Sequence, residues 1–178
     1  MALLGYYAAA AIIDDPDCGR LALQQTGFLV TGTLFLLCGC LHDRLSSPWL
    51  AVMYLCSSFF GQCGPNCTTF LIPCEVFPTS ARALCHGISA ASGKLGALTA
   101  SILFNYMGDR ELFLVSGYAS FAAGLITFLT IPETTTLDLY ETDKQWHDIL
   151  DGETYEGPAV APKHLSFYER NHNRFCCG

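Results

Sequence analysis

Charge is what this chain has least of. Asp, Glu, Lys and Arg make up 14% of its 178 residues while 51% are apolar, and soluble domains carry nearer a quarter charged. Too few polar groups are present to face water on all sides, so lipid is the expected solvent. The scarcity is concentrated: residues 21–41, 45–74 and 112–132 hold no charged side chain. Basic residues are the rarer sign, nine against sixteen acidic for a net charge of −7, which leaves no electrostatic footprint for nucleic acid. No basic flank precedes the apolar start, residues 1–13, so it does not read as a signal peptide, and it is too short to span. Period-two alternation is missing from the apolar runs, which argues against a closed barrel and leaves helices. A nucleophile and a metal set are missing as well. Glu75 and His86 stand at opposite ends of a loop with neither, so no enzyme and no cofactor is expected.

Cysteine, in contrast, is plentiful: there are ten. Seven (Cys38, Cys40, Cys56, Cys63, Cys67, Cys74 and Cys85) fall within or at the ends of apolar runs, where a small polarizable side chain packs well. Cys56, Cys63, Cys67 and Cys74 share one face of a single helix. Stacked a turn or two apart, they cannot close around one ion without a partner helix, so no metal site is expected. Cys176 and Cys177 are candidates for palmitoylation.

A helix needs roughly 20 mostly apolar residues to cross a bilayer core of about 30 Å. Residues 21–41, 49–73, 84–107 and 112–131 qualify. The short connections at 14–20, 42–48, 75–83 and 108–111 make neighbouring spans antiparallel. Small residues spaced four apart, Ser89/Gly93/Ala97 and Ser116/Ser120/Gly124, are expected to let helix backbones approach. The fold class expected is an all-α membrane protein. Its transmembrane domain covers 1–132. The remainder, 133–178, reads as an acidic cytosolic tail with an amphipathic helix at 137–150 followed by disorder.

The second full span is unusual, because Gln62, Gly64, Pro65, Asn66, Thr68 and Thr69 cluster in its second half. Proline removes a helix hydrogen bond and glycine loosens the backbone. A break at membrane depth is tolerated where it lines a cavity, and the freed dipoles then face a substrate. Asn66 offers amide donors to an anion; a packing kink with a self-satisfied Asn66 is the alternative. Lys94 is the sole formal charge within the full spans and lies near the middle of its own. There a lysine costs about 2.5 to 3.5 kcal/mol on insertion scales and sits roughly 15 Å from either interface. It needs an anion, a cavity or a carboxylate, unless hydroxyls and carbonyls alone pin it. No Asp or Glu lies at that depth. Antiparallel geometry brings Asn66 and Lys94 to similar depth, and together they outline one polar site. At one end of these spans Glu75 and Arg82 face each other across a turn, an acid–base pair suited to latching helix ends in one conformation.

The blocks Gly64-Pro-Asn-Cys-Thr-Thr-Phe70, Pro73-Cys-Glu-Val-Phe-Pro-Thr79 with Arg82, and His86-Gly-Ile-Ser-Ala-Ala-Ser-Gly-Lys-Leu-Gly-Ala97 closely resemble the phosphate:proton symporters of the major facilitator superfamily. The acid-x-Phe-Pro-Thr-x-x-Arg loop alone also fits sugar porters, and the Asn66 and Lys94 blocks narrow the resemblance to phosphate. It implies part of the C-terminal six-helix half of that fold: the end of the eighth helix, then the last four of twelve spans. It further implies inorganic phosphate and protons as cargo, the bilayer and the missing N-terminal helices as partners, and the plasma membrane as location. By the same resemblance Asn66 contacts phosphate, and Lys94 works with an acid on the seventh helix. Glu75, Arg82 and Arg20 gate, and Gly64 and Pro65 break the helix. The family's Asp-x-x-Gly-Arg turn is one residue longer here, in Asp14-Asp-Pro-Asp-Cys-Gly-Arg20, and its Pro-Glu-Thr-Lys reads Pro132-Glu-Thr-Thr135. A sugar or organic-ion transporter of the same fold, and a truncated fragment without transport activity, are the alternatives.

Overall fold

Residues 1–15, 18–135, 137–152 and 167–168 are described in a computed structural model. Three of the expected spans become α2 (Arg20–Cys40), α5 (Arg82–Phe104) and α6 (Asp109–Thr130), each long and apolar enough to cross a membrane. α1 (Ala2–Ile12) precedes them. Asp109 and Glu111 lie in the first turn of α6, at the end where the helix dipole favours negative charge. The protein is an all-α, multi-pass membrane protein. Large apolar side chains are exposed along every span, among them Leu29, Leu55, Leu95 and Leu125, as lipid-facing surfaces require.

The expected span at 49–73 is two helices, α3 (Ser47–Cys63) and α4 (Pro65–Val76). Gly64, with φ −102° and ψ −98°, ends one and begins the other, and Pro65 occupies the first turn of α4. Buried Thr68 turns its hydroxyl back to the Gly64 carbonyl at 3.1 Å, supplying a bond at the break. The break coincides with a helix crossing. A methyl group added to Gly64 would lie 2.8 Å from Gly27 Cα, and one added to Gly27 would lie 2.2 Å from Pro65 Cδ and 2.9 Å from Gly64 Cα. Two glycines therefore set the distance between α2 and the α3–α4 joint.

α2 is the hub, packed on α6 along its length and on α3 and α4 at the break, while α1 lies along α3. Ala9, Ile13, Leu23 and Cys63 form the core beside the break. On the other flank Gly39 abuts Leu114, Gly117 abuts Leu36 and Gly32 abuts Ser120 and Phe121. Gln24 Nε2 donates to Thr127 Oγ1 at 3.3 Å and Gln25 Nε2 to the Gly124 carbonyl at 2.9 Å. The small-residue face of α6 thus forms the close seam expected. That of α5 does not: α5 has no buried residue, and a methyl added at Gly93 or Gly96 meets nothing within 4 Å. Ser89, Gly93 and Ala97 line a cavity instead.

Beyond Pro132, α7 (Leu139–Asp151) lies within a residue or two of the expected amphipathic helix. Most of the segment expected to be disordered, and the Cys176–Cys177 pair, lie outside the described residues. Phe167 within it stacks on Phe128 of α6, with ring centroids 5.3 Å apart.

The α2–α4 crossing makes a direct test possible. Gly27→Ala, which forces a methyl into Pro65, should destabilise by about 1–3 kcal/mol, the usual range for overpacking. Gly87→Ala, with nothing within 4 Å, should match or exceed wild-type stability because alanine favours helix. Melting of the purified protein in detergent reads both, and equal melting of Gly27→Ala and wild type would disprove the tight crossing.

Candidate functional site

The break and α5 enclose the site. Asn66, Thr69 and Phe70 from α4 and His86, Ser89, Ala90, Gly93, Lys94 and Ala97 from α5 line one cavity of about 610 Å³, within the range of small-ligand sites. Asn66 and Lys94, expected at one depth, do share it. None of the described ion pairs involves Lys94. The Asn66 amide is already engaged: Nδ2 donates to the Tyr6 hydroxyl at 2.8 Å and to Gln62 Oε1. An incoming anion must share or displace one of those bonds. Tyr6, whose hydroxyl can accept or donate, joins the site from α1, and no sequence motif pointed to it. His86 is tethered to α4, with Nδ1 3.8 Å from Cys74 Sγ and its ring 6.1 Å from that of Phe70.

A family model described as sugar (and other) transporter matches residues 6–146, most of the chain and all of this cavity. The chain belongs to that transporter family. Its major facilitator fold is the one the Asn66 and Lys94 blocks implied, and the relatives bear out the narrower resemblance. The chain is 34% identical over 165 residues to the inorganic phosphate transporter PHO84 of Saccharomyces cerevisiae, covering 85% of this chain and 28% of that protein. It is 34% identical to inorganic phosphate transporter 1-2 of Oryza sativa subsp. japonica, covering 88% of this chain and 32% of the relative. Against inorganic phosphate transporter 1-4 of Arabidopsis thaliana the identity is 34%, over 81% of this chain and 30% of the relative. The chain spans about a third of the length of these relatives.

At one end of this transporter segment the ion pairing departs from expectation. Glu75 does not pair with Arg82. Its Oε1 lies 2.8 Å from Arg20 Nη2, with both side chains nearly buried at 14% and 12% exposure. Arg20 also lies 3.4 Å from Asp14 Oδ1. Arg82 instead donates from Nε to the Phe77 carbonyl at 3.2 Å, closing the turn before α5. The reason is topological: Glu75 ends α4 beside the start of α2, whereas Arg82 is spent on its own loop.

An arginine at a helix N-terminus opposes the dipole, and Glu133 compensates. Its carboxylate accepts from the Arg20 and Leu21 amides at 3.0 and 3.1 Å and from Thr135. Burial alone would raise the Glu133 pKa, but the hydrogen bonds from Thr135, Leu21 and Arg20 outweigh it and hold the carboxyl below its ordinary value. Gly19, at φ +66°, is needed both for that conformation and for room, since a methyl there would lie 2.5 Å from Glu133 Oε2. α7 is tied in separately, as Asp143 accepts from the Thr79 amide at 2.7 Å and from its hydroxyl. Those two bonds, helped by Arg82 and His147, lower the Asp143 pKa. Arg20, Glu75 and Glu133 therefore form one cluster linking α2, α4 and the end of α6, and Glu133, although it lies in the Pro132–Thr135 motif, is the member to which the sequence reading gave no role. Among the described residues no group of acidic, His or Cys side chains is arranged to hold a metal.

Proposed function

We propose that this chain is the C-terminal part of a proton-coupled inorganic phosphate transporter of the plasma membrane. The observation that carries the reading is the shared cavity of about 610 Å³ between α4 and α5, lined by an amide and by an ammonium that joins none of the described ion pairs. A tetrahedral oxyanion matches that donor set, and it explains why a cation is tolerated at this depth. Asn66 with Tyr6 holds the anion, and Lys94 balances its charge against an acid on helices upstream in the longer relatives. α5, with no buried residue, supplies a face for those helices and for the bilayer. Arg20 with Glu75 biases the conformation, Arg82 shapes the neighbouring loop, and Gly64 with Pro65 opens the helix that presents Asn66. The family's description includes sugars, but a neutral sugar gives no reason to keep Lys94.

Uptake of labelled phosphate by transport-deficient cells expressing a complete transporter that carries this segment tests the reading. Arsenate, with the same shape and charge, should compete and glucose should not. Competition by glucose without competition by arsenate would replace phosphate by a sugar.

A further inference from the structure

We propose that His86 is a second, protonatable oxyanion site at the Arg82 end of the same cavity, which receives phosphate after it leaves Asn66 and Lys94. The inference rests on the phosphate reading above and goes beyond it in assigning a further residue and a second position on the path.

His86 and Lys94 both line the cavity, yet eight residues of helix separate them, about 12 Å along the axis at 1.5 Å per residue. One tetrahedral anion cannot touch both side chains' helix levels at once. The histidine therefore lies one step along the cavity, toward the start of α5 at Arg82. Its ring is fixed from α4 on two sides, by Cys74 Sγ at 3.8 Å from Nδ1 and by Phe70. A thiol donating to Nδ1 leaves the ring proton on Nε2, and no described hydrogen bond occupies Nε2. That nitrogen is a donor for an oxyanion in the neutral ring, and protonation adds charge without removing it.

The ionisable groups carried by the ring's own helix and its neighbours decide what the charge responds to. On α4 these are Cys74 and Glu75, on α5 itself Arg82, Cys85 and Lys94, and across the loop Asp143 of α7. Glu75 is committed to Arg20 and Asp143 to Thr79. The remaining charges among these groups are cationic, so none of these described carboxylates is left over to hold an imidazolium. A bound anion and a protonated ring favour each other equally by linkage. Histidine is the side chain whose charge changes across physiological pH, so release is favoured where the Arg82 side is more alkaline, the ring's proton passing to water there.

The test uses the complete transporter carrying this segment, reconstituted in vesicles, with phosphate exchange measured from the Arg82 side at pH 6 and pH 8. His86→Gln keeps a donor but cannot take charge. It should raise KM for phosphate three- to tenfold at pH 6, leave pH 8 near wild type, and change kcat little. His86→Arg, permanently charged, should restore a low KM at both values. Phosphate's own titration acts equally on all variants, so ratios to wild type isolate the ring. A folded His86→Gln protein, eluting as a single species, with wild-type KM at both pH values would overturn the proposal while leaving the phosphate reading intact. Absence of phosphate exchange by the wild-type protein would overturn both.

Discussion

Replacing Lys94 by alanine in a complete transporter that carries this segment is expected to abolish phosphate-coupled proton uptake while leaving the protein folded. The two halves of this expectation have different causes. Folding survives because nothing described is paired with the ammonium and no neighbour lies within 4 Å of a methyl placed on adjacent Gly93, so truncation opens no packed core. A lysine at the bilayer centre also costs about 2.5 to 3.5 kcal/mol, and its removal relieves that cost. On the proposed reading, transport fails because the anion then enters a cavity with no compensating charge, and because the acid proposed on upstream helices loses its partner. Lys94→Arg should also fail, since a guanidinium is a planar fork that stays protonated, not a compact ammonium on a flexible stem. Uptake of labelled phosphate as a function of external pH, beside size-exclusion profiles, separates the two halves. Near-normal uptake by Lys94→Ala with an unchanged pH dependence would make the lysine a packing residue and remove the main link between this cavity and phosphate.

The parts of the fold that were legible are those where one physical requirement dominates. Apolar length placed α2, α5 and α6 within a few residues, because a helix that crosses lipid can carry few charges and the one carried mid-span here, Lys94, lines a cavity. Gly64 and Pro65 marked the break, because backbone chemistry at those residues is local. What stayed hidden depends on partners distant in sequence. The break is set as much by Gly27 of α2 as by proline, and that crossing has no local signature. The α5 small-residue row carried the same spacing as that of α6, yet one lines a cavity and the other a seam, because spacing states how close a neighbour can come and not which neighbour arrives. The misread pair, Glu75 with Arg82, followed sequence proximity. A signal for the true pair was present: with antiparallel spans, the connection before α2, the loop after α4 and the segment after α6 fall on one side, which brings Arg20, Glu75 and Glu133 together.

Glu75→Gln should slow transport at least tenfold while phosphate binding persists, and Arg20→Gln should do the same. The pair joins the end of α4, whose other end carries Asn66, to the start of α2, on which α6 packs. Removing one partner of a nearly buried ion pair leaves an uncompensated charge and costs about 3–5 kcal/mol in favourable cases. Here the loss should fall below that range, because the pair is incompletely satisfied: Arg20 Nε and Glu75 Oε2 are buried and lack hydrogen-bond partners among the described residues. Each such group penalises the paired state by roughly 1–3 kcal/mol. A contact that forms but is not fully satisfied suits an element that must separate in each cycle, since a change in its strength shifts the balance between two conformations. The double variant Arg20→Gln/Glu75→Gln tests the coupling, because two amides can bond each other with no stranded charge. It should recover most of the melting temperature lost by either single variant, with an interaction energy of about 0.5–3 kcal/mol, but not the turnover, because the charge that biased the conformations is gone. Arg82→Gln should lie outside this cycle and add independently, since Arg82 bonds the Phe77 carbonyl. Coupling of Glu75 to Arg82 and not to Arg20 would reverse the assignment of the pair. Loss of phosphate binding in a folded Glu75→Gln protein would place the carboxylate in the binding site and end its reading as a conformational latch.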